Sequence, residues 1–324
     1  MTTKSSQVDW SRYPRGWFVV ASSEELEAGQ LKGLEYFGTK FVGYRAEDGQ
    51  VHILDAYCPH LGADISVGGK VEGSCVRCPF HAWQFDGSGK CTEVPYAKKI
   101  PSKAKLDSHP VHEVNGLVFM HYDQDGHSPL YEIPEIEEYG AENWLPWATN
   151  MITIKTHPRE VVENVADKAH FPTVHNTHVE VFDNVYEGHM ATQITEGVAY
   201  PRGGGKDTFK LRATYHGPSY QITKMNGVIK SMYFQAHTPI DHNTLELRFG
   251  VSLQILGDVE KMKGFADQYV ENLTLGYHED VEIWEHKTYK DKPILCDGDG
   301  PVAQLRRWYK QFYEPIEEVV AESA

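Results

Sequence analysis

Two short segments concentrate residues able to bind metal: Tyr57-Cys58-Pro59-His60-Leu61-Gly62-Ala63 and Cys78-Pro79-Phe80-His81-Ala82-Trp83. They supply a Cys-x-His and a Cys-x-x-His separated by seventeen residues. Each reads as a loop at the end of a hairpin, so that Cys58, His60, Cys78 and His81 converge from two loops. Two thiolates and two imidazoles can hold one tetrahedral zinc, or a two-iron cluster with the cysteines on one iron and the histidines on the other. Structural zinc sites usually pair cysteines two to four residues apart, so this spacing favours the cluster. Neutral imidazole in place of thiolate makes the cluster less negative and raises its potential, giving a centre that stores and passes single electrons. Cys75 lacks the Cys-Pro-x-His context, and Cys91 and Cys296 read as small buried hydrophobes.

A second constellation lies in Glu163-Asn164-Val165-Ala166-Asp167-Lys168-Ala169-His170-Phe171-Pro172-Thr173-Val174-His175. The spacing predicts a helix over 157–171, opened by Pro158, with Val161, Val162, Val165 and Ala169 on one face. His170 falls at its end, and Phe171-Pro172 breaks it so that His170 and His175 face one point. Two histidines and one carboxylate bind ferrous iron on one face and leave positions open for dioxygen. The carboxylate is sought on a later helix, 259–287, where Phe265, Tyr269, Leu273, Gly276, Asp280 and Trp284 recur at spacings of three and four. A carboxylate on an apolar stripe is costly unless paired or bound to metal, which selects Asp280. Glu279 and Glu282 point elsewhere on the wheel and read as solvated charges. Asp167, three residues before His170, is placed to orient it, and Asn164 one turn earlier to line the same site.

The elements around these residues fall into two groups. From Gly16 to Tyr122, short apolar alternations broken by Gly, Asp and Asn read as a small all-β domain. Residues 129–147 read as a linking stretch, and beyond it strand-like runs between the two helical segments give a larger α+β domain on an antiparallel sheet. The expected division is 1–128 and 129–324. The formal charge of −15, with acidic residues gathered at Glu314, Glu317, Glu318 and Glu322, disfavours nucleic acid and anionic membrane surfaces. No apolar run reaches the length of a bilayer span and no secretory signal opens the chain, so a cytoplasmic protein is expected. Five cysteines in a chain of 324 residues argue for metal rather than disulfides.

Together these residues resemble the α-subunits of Rieske non-haem iron oxygenases from about Arg15 to Tyr313. Within them the chain is most similar to the oxygenase component of 3-ketosteroid 9α-hydroxylases, through Phe37-Gly38-Thr39-Lys40, Cys91-Thr92-Glu93-Val94-Pro95-Tyr96, Glu279-Asp280-Val281-Glu282-Ile283-Trp284 and 299–313. The same branch resembles sterol 7-desaturases. It departs from those hydroxylases at Pro59, at Ala82 where Gly or Asp is common, and in ending soon after Tyr313.

The resemblance implies a [2Fe-2S] Rieske cluster on Cys58, His60, Cys78 and His81, and a mononuclear Fe(II) on His170, His175 and Asp280. The fold implied is an N-terminal all-β Rieske domain followed by a helix-grip-like antiparallel-sheet catalytic domain. It further implies hydroxylation of an apolar, steroid-like substrate with O2, and a homotrimer in which Asp167 bridges the iron of one subunit to the cluster of the next. Because no Gly-x-Gly-x-x-Gly fingerprint follows a strand, electrons are expected from a separate flavin and iron-sulfur reductase. A Rieske electron carrier without catalysis needs only about a hundred residues and no second constellation. The expected pocket residues are Val174, Phe182, Tyr215, Tyr220, Tyr233, Phe234 and Trp284.

Overall fold

The computed structural model describes residues 8–200, 205–227 and 229–314. The acidic residues Glu317, Glu318 and Glu322 lie outside the described residues. The chain divides into two compact units, Trp17–Pro134, and Met1–Gly16 with Glu135–Ala324.

The first unit carries β1 (Gly16–Ser22), β2 (Leu31–Tyr36), β3 (Thr39–Arg45), β4 (Val51–Asp55), β5 (Lys70–Glu72), β6 (Cys75–Arg77), β7 (Gln84–Phe85), β8 (Cys91–Glu93), β9 (Ser108–His109), β10 (Val111–Val114) and β11 (Leu117–Tyr122). They form three sheets in the orders β1-β11-β10, β2-β3-β4-β9 and β5-β6-β7-β8. Alternation along β3 and β4 sends Val42, Tyr44 and Leu54 into a core shared with Ile65, Val76 and Phe85. The unit runs past residue 128, to Pro134, because Trp17 Nε1 donates to Tyr131 O at 2.7 Å and Asn115 Nδ2 donates to Pro134 O at 2.9 Å. These two hydrogen bonds fix a stretch whose composition reads as a linker.

The second unit is a seven-stranded antiparallel sheet of β12 (Ala148–Ile154), β13 (Thr177–Glu187), β14 (Met190–Ala199), β15 (Asp207–His216), β16 (Tyr220–Asn226), β17 (Ser231–Pro239) and β18 (Leu245–Leu253). Its order is β12-β18-β17-β16-β15-β14-β13. The helices are α1 (Pro158–Glu163), α2 (His170–Val174), α3 (Val259–His286) and α4 (Val302–Lys310). Asp258 opens α3 by accepting the Lys261 N–H at 2.9 Å. The helix then buries Met262, Ala266, Val270 and Trp284 against Leu247, Phe249 and Val251 of β18. Phe265, expected on that stripe, is 58% exposed, because the buried row begins at Met262 and leaves Phe265 at its border. No helix among the described residues is long and apolar enough to cross a membrane.

The residues before β1 pack in this second unit. Arg15 N–H donates to Phe312 O at 2.7 Å, and its guanidinium reaches Gln311 O and Glu314 O at 3.0 and 2.8 Å. Trp10 sits edge-on to Tyr313 and His157.

The helix expected over 157–171 is two helices. His157 Nδ1 accepts the Arg159 N–H at 3.2 Å to start α1, which ends at Glu163 and continues as tight turns through Asp167. There Asp167 Oδ1 accepts the N–H groups of Ala169 and His170, at 3.0 and 3.2 Å, and a new helix starts. The break therefore precedes His170 rather than following Phe171. Pro172 is tolerated because it lies in the first turn of α2, where its missing N–H has no helical acceptor. Ala169 is exposed at this break, and Ala166 takes the buried place expected for it.

Candidate metal centres

The two cysteine loops share one backbone design. In the loop after β4, Cys58 N–H donates to Ala63 O and Gly62 N–H to Cys58 O, both at 2.9 Å. In the loop between β6 and β7, Cys78 N–H donates to Trp83 O at 2.9 Å and Ala82 N–H to Cys78 O at 3.1 Å. Both loops turn through a left-handed residue, Gly62 at φ 75° and Ala82 at φ 58°. The second position shows why Gly or Asp suits it and why Ala there is strained.

The loops bring Cys58 beside Cys78 and His60 beside His81. The rings of His60 and His81 lie 4.6 Å apart at 72°, and His60 stacks on Trp83 at 4.7 Å. Trp83 is held in turn by its Nε1 donating to Tyr96 Oη at 2.8 Å. Cys58 and Cys78 are both buried. Burial pushes the Cys58 thiol up to about 11, and the adjacent Cys78 adds to the shift. His60 Nδ1 is buried with no hydrogen-bond partner. A buried Cys58 thiol costly to ionise without a cation, a second buried cysteine beside it and an imidazole nitrogen lacking a hydrogen-bond partner fit a cluster held by two thiolates and two imidazoles. Cys75 turns away, its Sγ 3.6 Å from Thr92 Oγ1. Cys91 is buried as expected, whereas Cys296 is exposed because it lies on a loop rather than in a core.

In the second unit, ligand atoms of His170, His175 and Asp280 all lie within 4.8 Å of one another. His175 Nε2 is 3.3 Å from Asp280 Oδ2, and the two imidazoles cross at 81° with centroids 5.1 Å apart. Asp280 faces inward from α3 and is 8% exposed. His170 Nδ1 lies 2.7 Å from the Asp167 carbonyl. A carbonyl only accepts, so Nδ1 carries the proton and Nε2 keeps its lone pair for a metal. Two imidazoles and one carboxylate, drawn together in a part-buried recess with one tautomer already set, are the donor set of a facial-triad iron.

Asp167 thus orients His170 through its carbonyl, while its carboxylate Oδ2 stands 3.7 Å from His170 Nδ1. Burial raises the Asp167 carboxyl, but hydrogen bonds from His170 and Ala169 outweigh it and hold the group below the usual range. Asn164 lines the recess, with Trp284 Nε1 at 3.4 Å from its Oδ1. The turn carrying these residues is pressed by the segment before α4. A Cβ at Gly300 would come within 1.8 Å of Ala166 O, so only glycine permits that approach.

The triad borders a cavity of about 570 Å³ lined by Val161, Phe171, Tyr233, Leu273, Tyr277 and Trp284. It shares Asp207, Tyr269 and Asn272 with an outer cavity of about 980 Å³. Of the expected pocket residues, Tyr233 and Trp284 line the inner cavity. Phe234 instead packs on Trp147 and Tyr220 across the sheet, Tyr215 lies in the core with Trp308, and Phe182 lines a separate surface recess. Val174 borders none of these recesses. The strand repeat explains the choice: Tyr233 and Gln235 share one face of β17 and Phe234 takes the other. Sequence reasoning missed the polar floor, in which Tyr277 Oη donates to Gln235 Oε1 at 2.7 Å and Gln235 Nε2 donates to Tyr215 Oη at 2.9 Å. It also missed Glu279, whose Oε2 lies 3.4 Å from His175 Nδ1; the Glu279 side chain is part-buried rather than solvated.

Comparison with known proteins agrees with this arrangement. Residues 16–107 match the Rieske [2Fe-2S] domain, and residues 120–313 match the 3-ketosteroid 9α-hydroxylase C-terminal domain. A 3-ketosteroid-9-alpha-monooxygenase oxygenase component of Rhodococcus rhodochrous is 39% identical over 95% of this chain and 83% of its own length. One from Mycobacterium tuberculosis is 36% identical over 96% of this chain and 85% of its own. A cholesterol 7-desaturase of Ciona intestinalis is 32% identical over 93% of this chain and 69% of its own. Among solved structures, dicamba monooxygenase bound to dicamba superposes with a TM-score of 0.76 at 19% identity, covering 98% of this chain and 100% of that one. The QL mutant of Pseudomonas putida NdmA with theobromine gives 0.74 at 20%, covering 94% and 92%. These two likenesses show the shared fold. The chain belongs to the Rieske oxygenases, in the branch of the 3-ketosteroid 9α-hydroxylase oxygenase components.

Proposed function

We propose that this chain is the terminal oxygenase of a 3-ketosteroid 9α-hydroxylase-like system, taking electrons from a separate flavin and iron-sulfur reductase in the cytoplasm. In this reading Cys58 and Cys78 hold one iron of the cluster, His60 and His81 hold the other, and His170, His175 and Asp280 hold a mononuclear ferrous iron. When bound, that iron supplies the site at which dioxygen is reduced and one of its atoms is delivered to an unactivated C–H bond. The observation that carries the reading is the triad at the wall of a largely apolar cavity in a unit matched by the ketosteroid-hydroxylase domain.

The chain's own residues perform the rest. Val161, Phe171, Leu273 and Trp284 exclude water and receive an apolar ring system. Gln235, fixed between Tyr277 and Tyr215, gives one wall of the cavity a set of hydrogen-bonding groups that orients a polar substituent. His170 is kept in one tautomer by Asp167 O. The Asp167 carboxylate is assigned the bridge to a cluster histidine of the next subunit in a homotrimer.

A reductase-coupled assay against 3-ketosteroids, sterols, bile acids and simple aromatics, with product mass recorded, tests the proposal. Gain of one oxygen atom on a 3-ketosteroid is expected. The likeness to a cholesterol 7-desaturase supports a second reading, loss of two hydrogens from a sterol. Turnover confined to the aromatics, or no product across the panel, overturns the steroid assignment.

A further inference from the structure

The geometry points to Glu279 as a positioning residue for the mononuclear iron, acting through His175. This rests on the reading of His175 as an iron ligand. His175 is held between consecutive carboxylates of α3: its Nε2 faces Asp280 Oδ2 at 3.3 Å, and its Nδ1 faces Glu279 Oε2 at 3.4 Å. Adjacent helical residues project about 100° apart and do not ordinarily share a partner. They do so here because one imidazole presents a nitrogen to each.

A metal-bound imidazole normally donates its outer N–H to a carboxylate or carbonyl, which fixes the tautomer, aims the ring and makes the inner nitrogen a better donor. His170 uses the Asp167 carbonyl for this. His175 has Glu279. The two outer hydrogen bonds therefore differ, one to a neutral dipole and one to a full charge. The Asp167 carboxylate stands 3.7 Å from His170 Nδ1 and the Glu279 carboxylate 3.4 Å from His175 Nδ1, so each imidazole has a negative charge on its outer side, and on His175 that charge is the outer partner that α3 supplies. The Glu279 side chain is part-buried beside a neutral imidazole, and its consequence lies in the direction of the His175 lone pair.

The test uses the full-length enzyme with both metals loaded. Retention of mononuclear ferrous iron is measured by competition with a ferrous chelator, and the coordination geometry is read from the electron paramagnetic resonance of the nitric oxide complex. Glu279→Ala is expected to weaken iron binding by about 10–100-fold and to broaden or shift that signal. Glu279→Gln, which keeps an acceptor for the Nδ1 proton, is expected to bind iron more tightly than Glu279→Ala. Glu282→Ala, exposed on the same helix, leaves both readouts unchanged. Wild-type affinity and signal in Glu279→Ala, or equal losses in the Ala and Gln variants, overturn the inference. His175→Ala separates it from its premise: if that variant retains the iron, His175 is not a ligand and the premise fails, whatever Glu279 does.

Discussion

His237 is fully buried on β17, its backbone N–H donating to Ser219 O at 3.0 Å, and neither ring nitrogen has a hydrogen-bond partner on a neighbouring residue. Burial pushes its pKa from 6.5 down to about 3, opposed only weakly by its own backbone. Between those values the unfolded chain takes up a proton that the folded chain refuses. Stability from this group is therefore fully present above 6.5 and is lost as pH falls toward 3. At about pH 5 the deficit is ~2 kcal/mol, from roughly 1.5 pH units at ~1.4 kcal/mol each. His237→Leu removes the titrating group at similar volume and leaves no orphaned nitrogen, so its stability relative to wild type should rise by ~2 kcal/mol between about pH 7.5 and about pH 5. Urea unfolding of both proteins across that range measures the difference, and the comparison cancels every other titrating group and any loss of metal common to both chains. Parallel pH curves for the two proteins would refute the reasoning, since they would mean that His237 protonates in the folded state as readily as in the unfolded one.

The metal sites give three further predictions. Asp280→Ala should lower iron content from about three to about two atoms per chain while the cluster absorption persists, and unchanged iron content would remove Asp280 from the ligand set. Asp167→Ala should keep both metals and reduce reductase-coupled turnover by about 10–100-fold; full activity would end the bridging proposal. Ala82→Gly relieves a left-handed backbone costing about 1–2 kcal/mol, offset by about 0.5–1 kcal/mol of extra freedom in the unfolded chain, so the cluster unit should gain ~0.5–1 kcal/mol. Urea unfolding monitored by loss of cluster absorption measures that gain, and a destabilised variant would count against strain at this position.

The cluster loops were legible in the sequence because their information is local. Each loop carries its ligands within four residues, and the β6–β7 pairing of Arg77 with Gln84 closes the second loop directly around Cys78 and His81. Asp280 was legible for a different reason: a carboxylate in register with an apolar row has to be compensated, and the structure puts His175 beside it. The pocket aromatics were not legible, because β17 offers Tyr233 and Phe234 in succession and both of its faces are covered. Composition alone does not decide which parity meets the cavity. The helix break falls before His170 rather than at Pro172, because the turn at Asp167 depends on one carboxylate accepting two backbone N–H groups, which no local sequence signal displays.

Glu279 illustrates the residues that a helical wheel cannot assign, since its position becomes meaningful only once His175 arrives from another element. The same contact bears on Asp167. Had the Asp167 carboxylate been needed to aim His170, it would be committed within its own subunit, as the Glu279 carboxylate is to His175. Instead the Asp167 backbone carbonyl takes the His170 Nδ1 proton at 2.7 Å, and the carboxylate, its side chain 40% exposed, uses Oδ1 for the start of α2 while Oδ2 stands off at 3.7 Å. A part-exposed carboxylate oxygen with spare acceptor capacity can receive a donor from outside the chain. Orientation of His170 by the Asp167 backbone carbonyl is what leaves that carboxylate oxygen available for the role proposed for it between subunits.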